Sequence, residues 1–510
     1  MKLYGKLEKV NLIFWVTNMK IEERVNSDVS INIDYLKCKF SNCSDVIYRE
    51  INVFSEEKHD TVLIWIDGLT DMNLINDDIV KRLIKIRYTK DKQYFIQSED
   101  KVQNNIVSIA DIKVHTKMSE VIDSLLSGNT IIFIDGLDEC IIASTRGGQF
   151  RSITEPKSES IVRGPMQGFT ENIKINVGLI RGIIKNSDLK VESLKLGNVS
   201  KTDVTITYID GIVNESILKE VKKRVNKINL DAILDSSYIE ELIEDHPYSP
   251  FPQIAHTERP DKVAAHLLEG RVAIIVDGSP FVLLVPSIFI QFLQSSDDYY
   301  ERYFMAFAVR MVRYLFFILA LTFPSIYIAI TTYHQEMLPT TLLMSVAGAQ
   351  SGVPFPALIE AFIMELMLEA LREAGVRLPK TVGQAVSIVG ALVIGEAAVS
   401  AGIVSPLMVI VVATTAIASF TIPGFSIAIS VRLLRFPLML FAATLGFYGI
   451  MIGLIALLIH LCKLESFGIP YLSPLAPLEK ADLKDTVIRV PWWSMKKRPT
   501  ILKPKKIKRR

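Results

Sequence analysis

Five carboxylates set in almost wholly apolar sequence are the residues best able to do chemistry in this chain. The run ALIEAFIMELMLEALREA, residues 357–374, carries Glu360, Glu365, Glu369 and Glu373 together with one cation, Arg372, and Glu396 follows inside an otherwise uncharged segment. At 100° per residue, Glu365, Glu369, Arg372 and Glu373 share one stripe of a helix, and Glu360 lies well off it. A charge facing lipid costs about 2.5–3.5 kcal/mol, so three acids at a bilayer centre would cost roughly 8–10 kcal/mol. They must face water, protein or headgroups. Three arrangements meet that demand: an interfacial helix with a wet face, a buried ion-paired stripe between helices, or the wall of a cation pathway in an oligomer. The last is the functional expectation, because rings of Glu repeated by rotational symmetry select cations. Glu396 competes between the same role and a simple hydrogen-bonded one. The expected pore-lining set is therefore Glu360, Glu365, Glu369 and Glu396.

Other chemistry finds no support. The segment FIDGLDE, Phe133 to Glu139, is an apolar run ending in acids, as on the magnesium-holding strand of nucleotide-binding ATPases, but no GxxxxGK[ST] phosphate cradle precedes it. Asp135 is expected to make a turn. Neither HExxH, GxSxG, a CxxC pair nor a GxGxxG following a strand occurs, so no enzyme, cofactor or metal site is expected. Cys38, Cys43, Cys140 and Cys462 are scattered without metal-ligand or disulfide spacing, which suits a reducing compartment.

The elements that must position these residues divide sharply by composition. A chain of 510 residues exceeds one compact core. Charge crowds Met1 to Arg313, whereas Leu315–Ile330, Leu338–Ile359, Thr381–Gly395, Ala397–Val431 and Phe436–Ile459 contain none. Those lengths approach or exceed the ~20 residues that span ~30 Å of hydrocarbon. The expected fold class is an α/β soluble region of two related subdomains followed by a polytopic all-α membrane domain. The expected divisions are an N-terminal extension over 1–55, a first α/β subdomain over 56–160, a second over 161–300, a transmembrane domain of four or five spans over 301–465, and a basic tail over 466–510.

The two subdomains follow from a repeat. TVLIWIDGLTDMNLINDDIVKRL, from Thr61, resembles VTITYIDGIVNESILKEVKKRV, from Val204, and SEVIDSLLSGNTIIFIDGLDECIIAS, from Ser119, resembles DKVAAHLLEGRVAIIVDGSPFVLLVP, from Asp261. Each second part predicts a helix ended by Gly, a strand, an Asp-Gly turn and a returning strand. The offsets, 143 residues from Asp67 to Asp210 and 142 from Asp135 to Asp277, agree. Thr145–Gly168 is expected as a connecting loop, Asn186–Ser200 as a further boundary, and the Pro-rich His246–Pro252 as a connector. Asn11–Thr17 lacks the cleavage site of a signal peptide.

Arg302, Arg310 and Arg313 precede the first span, and Arg372, Arg377 and Lys380 follow the second, which places the soluble half in the cytoplasm by the positive-inside rule. The nine Lys and Arg between Lys496 and Arg510 read as a solvated tail against anionic headgroups, with no nucleic-acid role. Five full crossings put that tail outside. Either it is exported, or one segment is re-entrant and four crossings remain, the best candidate being Leu338–Ala374, broken at Gly352-Val-Pro-Phe-Pro356.

SPFPQIAHTERPDKVAAHLLEGRVAIIVDGSPFVLLVP, Ser249 to Pro286, with SSDDYYERY, Ser295 to Tyr303, closely resembles the A subunit of spore germinant receptors, the GerA family. The resemblance continues through TEP (Thr154–Pro156), RGP (Arg163–Pro165), FTEN (Phe169–Asn172) and LIR (Leu179–Arg181), then Val353–Pro379, Gly383–Pro406 and Arg432–Leu440. Its motif residues include Arg163, Gly164, Pro165, Pro252, Glu258, Arg259, Pro260, Asp261, Asp277 and Gly278. The resemblance implies a multi-pass subunit in the inner membrane of a spore, partnered by a transporter-like B subunit and a lipoprotein C subunit. It further implies a homo-oligomer that conducts monovalent cations when nutrient binds. The family more often has Gln where this chain has Glu396, so an added ring of charge would alter selectivity or be neutralised. A secondary transporter and a non-conducting scaffold are the alternatives.

Overall fold

The computed structural model describes residues 24–53, 60–87, 111–147, 154–379, 390 and 393–509. Two compact units divide it: one holds most of the chain up to residue 284, the other residues 161–164, 241–255 and 285 onward.

The α/β unit contains the expected repeat as two five-stranded sheets of the same order. In the first, β1 (Val46–Ile51), β2 (Thr61–Ile66), β3 (Ile112–His115), β4 (Thr130–Ile134) and β5 (Cys140–Ala143) run in the order β1-β2-β4-β5-β3. In the second, β6 (Leu189–Leu196), β7 (Thr202–Ile209), β8 (Ala255–Thr257), β9 (Val272–Val276) and β10 (Val282–Val285) run β6-β7-β9-β10-β8. Successive side chains of β2 point to opposite faces, and all six are buried because both faces of the sheet are covered. Val62, Ile64 and Ile66 of β2 pack with Val29, Leu36, Val121 and Leu125. Leu63 and Trp65 turn the other way, against Ile75, Ile79 and Leu83.

All four Asp-Gly units are turns, with the glycines left-handed: φ is 86° at Gly68, 93° at Gly136, 74° at Gly211 and 85° at Gly278. Only glycine takes that conformation without strain. Asp135 accepts a hydrogen bond from the Val29 backbone N–H (3.4 Å), in keeping with a turn role. The first sheet draws β1 and the covering helix Val29–Lys39 from residues before 55. Asn186–Ser200 is not a boundary: it carries β6, the edge strand of the second sheet, whose alternating exposure hides it among polar residues.

Helices Tyr303–Thr332, Thr340–Gln350, Ala357–Arg377, Pro406–Phe420 and Phe425–Lys463 lie in the other unit. Two of them, Tyr303–Thr332 and Phe425–Lys463, are long and apolar enough to cross a membrane. The expected break at Gly352–Pro356 is present, since the helices Thr340–Gln350 and Ala357–Arg377 are separate elements.

Phe436–Ile459, expected to be a single span, doubles back. Straight, the 39 residues of Phe425–Lys463 would reach about 58 Å, nearly twice a hydrocarbon core. Gly446 interrupts the helix at φ 60°, ψ −141°, a conformation reserved for glycine. A Cβ on Gly449 would lie 2.0 Å from the Phe441 carbonyl oxygen, and one on Gly453 2.6 Å from Leu438 Cδ1. Residues eight apart on a straight helix are separated by about 12 Å, so these contacts require an antiparallel hairpin. Its tip rests on the end of Tyr303–Thr332. His334 Nε2 accepts from Phe447 N–H (3.3 Å), and the Tyr333 hydroxyl donates to the Thr444 carbonyl (2.9 Å).

Residues 464–509 are folded, including 496–509, the expected solvated tail. A two-residue ribbon, Glu465–Ser466 with Ile469–Pro470, opens the segment, and Tyr471, Thr486, Arg489 and Arg498 are buried within it.

Candidate functional site

The acidic helix Ala357–Arg377 carries its stripe against the first arm of the hairpin. Apolar residues on both sides exclude water from Glu365, only 1% exposed, and its Oε2 accepts from Arg435 Nη1 at 2.5 Å. Arg435 Nε donates to the Ala320 carbonyl of the first long helix (2.9 Å), so one guanidinium joins three helices. One turn on, Glu369 accepts from Arg432 (2.9 Å) and faces Arg372 (3.5 Å). Arg372 reaches the Ser419 hydroxyl (3.3 Å) and lies over the Phe420 ring, 4.9 Å from its centroid. The 3.6-residue repeat places Glu365 and Glu369 on one face and Arg432 and Arg435 on the opposing one, which is why the pairs form in register.

Glu360, off the stripe, has a different partner. It is 1% exposed, and its Oε2 accepts from the Ser405 backbone N–H at 2.7 Å. Ser405 is the N-cap of Pro406–Phe420, so the carboxylate sits at a helix N-terminus, where backbone N–H groups and the dipole favour negative charge. Glu396 stands apart, exposed in the helical stretch 393–400. Among the described residues no side chain is paired with it. The structure thus brings Glu365 and Glu369 together, sets Glu360 at a cap, and leaves Glu396 separate.

A second charged cluster escaped the sequence reading. Asp298, within the DDYY turn, is buried and accepts from Arg310 Nε (3.2 Å) and Arg313 Nη1 (3.0 Å). Arg310 Nη1 continues to the Asp485 carbonyl (2.7 Å), and the Tyr299 hydroxyl donates to the Asp485 carboxylate (2.9 Å). Arg489 Nε returns to the Asp298 carbonyl (3.1 Å) while its guanidinium stacks on Tyr299 and Trp492. Arg310 therefore ties the start of the first long helix to the C-terminal segment, while Arg313 holds Asp298. Sequence gives one signal, the spacing of two Arg on one helix face just after paired Asp. It says nothing of Asp485, nearly two hundred residues away.

The motif residues of the α/β region build turns and buried bonds. Arg259 spans the Pro165 carbonyl (3.0 Å) and the Asp261 carboxylate (2.7 Å). Glu258 Oε2 accepts from Lys157 N–H (2.7 Å), and its carbonyl from Phe169 N–H (2.7 Å). Pro260 opens the helix Pro260–Glu269, where its missing N–H costs nothing. Asp277 Oδ1 accepts from Ile173 N–H (3.1 Å), and Gly278 N–H donates to the Glu171 carbonyl (2.7 Å). In the helical unit, the Pro252 carbonyl accepts from the Tyr471 hydroxyl (2.6 Å). There Gly164 has φ 136° with Tyr300 packed where a Cβ would be; Arg163 is exposed. Arg181 of the LIR motif is fully buried and grips Asp45, ahead of β1, through two 2.9 Å bonds, joining the two sheet-bearing halves of the α/β unit. Among the described residues no His, Cys, Asp or Glu cluster could hold a metal.

A duplicated α/β module followed by an apolar helical unit, two of whose helices are long and apolar enough to cross a membrane, is the class that the fold defines. Within that class, the chain belongs to the Bacillus/Clostridium GerA spore germination protein family, whose profile matches residues 34–501. It is 49% identical over 475 residues to spore germination protein KA of Bacillus subtilis (strain 168), covering 93% of this chain and 87% of that one. It is likewise 49% identical over 475 residues to the protein named "Uncharacterized membrane protein YfkQ" of the same organism, covering 93% and 91%. The solved N-terminal domain of the A subunit of the Bacillus megaterium spore germinant receptor GerK3 is 35% identical, with a TM-score of 0.42 over 53% of this chain and 98% of that one.

Proposed function

We propose that this chain is the membrane-embedded A subunit of a nutrient-responsive spore germinant receptor, and that copies of it assemble around a cation-conducting path. The relatives are spore germination proteins of nearly the same length, which supports the receptor role. The observation that carries conduction is the unequal exposure of the acids. Glu360 and Glu365 are closed off by bonds within the chain, whereas the Glu369 side chain is one-third exposed and Glu396 lies exposed in apolar helix. A carboxylate left facing lipid costs about 2.5–3.5 kcal/mol; in a ring of subunits it would face water and ions instead. We place Glu369 and Glu396 along the path, with Glu360 and Glu365 fixing the wall behind it.

In a bilayer, the turn at Gly446 makes Phe425–Lys463 two crossings rather than one. The C-terminal segment then lies at the same end as Arg302–Arg313, joined through Arg310 and Asp485. The basic tail is then cytoplasmic, in accord with the positive-inside rule. The setting is the spore inner membrane, with a transporter-like B subunit and a lipoprotein C subunit as partners. Nutrient binding on a partner shifts the closed-to-open equilibrium through contacts that differ between the two states.

Potassium flux through the assembled receptor in vesicles tests this reading. Nutrient-triggered flux is expected, with cation preference weakened in Glu369→Gln and Glu396→Gln. No flux above protein-free vesicles leaves the scaffold alternative; saturable flux at low turnover leaves the transporter.

A further inference from the structure

The C-terminal segment folds into a two-stranded basic ribbon. Arg498 N–H donates to the Ile507 carbonyl (2.8 Å) and Arg509 N–H to the Lys496 carbonyl (3.0 Å), which sets Lys497 opposite Lys508. The loop is pinned by Asp482, whose Oδ2 accepts from Thr500 N–H (2.8 Å), Thr500 Oγ1 (2.9 Å) and Ile501 N–H (3.1 Å). Like charges directly opposite across a ribbon are destabilising. Lys508 is also part of a cleft of 510 Å³ lined by Arg498, Lys505, Lys506, Ile507, Lys508 and Arg509, with no carboxylate in the lining. Such a cleft is complementary to a compact multivalent anion, above all a phosphate.

Its surroundings choose the source of that phosphate. Ile507 is exposed beside the cations, and Trp492 and Trp493 are 54% and 72% exposed. Trp493 packs edge-on against Tyr303 at the start of the first long helix, with ring centroids 5.9 Å apart. Aromatic rings and basic residues at the end of an apolar helix occupy the headgroup level of a bilayer. A free anion would gain nothing from exposed indoles; an acyl-bearing one would.

We propose that this ribbon is a binding site for an anionic glycerophospholipid headgroup, held in the Arg498–Lys508 cleft with its glycerol and acyl chains against Ile507 and Trp492, whose ring lies 5.9 Å from the Arg509 guanidinium. The proposal rests on the membrane reading of the helical unit and adds a specific lipid site to it. Through Asp482, Asp485 and Arg489 the ribbon is continuous with the Asp298–Arg310 cluster, so occupancy would stiffen the junction at which the first long helix begins.

The test is titration calorimetry of the full chain in neutral detergent with dihexanoyl-phosphatidylglycerol, dihexanoyl-phosphatidylcholine and inorganic phosphate. Saturable binding of the glycerol lipid is expected, with none of the choline lipid. In Lys505→Gln/Lys506→Gln/Lys508→Gln it should weaken roughly 100-fold, three charges at about five-fold each. These lysines are exposed, and an unchanged unfolding midpoint verifies that the variant folds. Trp492→Ala should weaken the lipid several-fold and leave phosphate unmoved. Equal affinity for both lipids, unchanged affinity in the triple variant, or inorganic phosphate bound as tightly as the glycerol lipid overturns the proposal. A chain that binds no lipid yet needs detergent for extraction sinks this site alone, whereas one recovered without detergent sinks the membrane reading itself.

Discussion

Removing one member of the Glu365–Arg435 pair tests whether the acidic stripe is dry in the folded chain. The two side chains are 1% and 2% exposed and meet at 2.5 Å. Glu365 Oε1 and Arg435 Nη2 have no hydrogen-bond partner among the described residues. The charge that survives a single substitution therefore has little else to turn to. Arg435→Met strands a buried carboxylate and also frees the Ala320 carbonyl from its 2.9 Å bond. Breaking a buried pair from one side costs about 3–5 kcal/mol, and Arg435→Met should fall at the upper end. Glu365→Gln should cost less, about 2–4 kcal/mol, because Arg435 Nε keeps the Ala320 carbonyl. The double variant leaves no buried charge, and its stability should return to within about 1–2 kcal/mol of the parent. Equilibrium unfolding of the full chain in detergent, run as a double-mutant cycle, reads these values, and a coupling of about 3 kcal/mol or more is expected. Additive costs, with coupling under about 0.5 kcal/mol, would refute the argument. Such a result would mean that water or another subunit already satisfies Glu365.

Three further outcomes follow from the geometry. Gly446→Ala forces a side chain into a glycine-only conformation and sets its Cβ 2.7 Å from His334 Nε2, so a loss of about 1–3 kcal/mol is expected in thermal unfolding; an unchanged midpoint would mean the hairpin turn lies elsewhere. Arg181→Met leaves Asp45 buried without its guanidinium and should cost about 3–5 kcal/mol in urea unfolding of the α/β unit, while a shift under ~1 kcal/mol would show that pair to be dispensable. Burial opposes protonation of His256, but the Glu240 carboxylate 3.5 Å away outweighs it and raises the pKa. The protonated ring thus stabilises the fold fully below its ordinary value of about 6.5 and progressively less as pH rises through the folded-state value. Stability of the α/β unit should decline from about pH 6.5 upward, and His256→Gln should flatten the profile; a parallel decline in the variant would assign the effect to another group.

Much of the α/β region was legible from local pattern. The repeat at offsets of 143 and 142 residues anticipated two sheets of one strand order, and the Asp-Gly pairs marked four left-handed turns. Such signals survive because turn chemistry and strand alternation act over a few residues. β6 was missed because an edge strand with one wet face reads as a polar connector. In the helical unit the acids were found, and a buried ion-paired stripe stood among the readings, but Arg435 lies 70 residues from Glu365 and no local pattern links them.

By itself the amino-acid sequence determined that polar and apolar halves are separate, where the backbone must turn sharply, and that carboxylates in the apolar half need partners. The tertiary structure decided which partners those are, that one apolar run is a hairpin, and that the basic segment folds beside the first long helix. The physical reason is the same in each case. In an apolar run every residue satisfies the same hydropathy, so a doubling-back leaves no periodic trace beyond one glycine. Ion pairs and the Asp298–Asp485 junction, for their part, are chosen by proximity in space, which only packing creates.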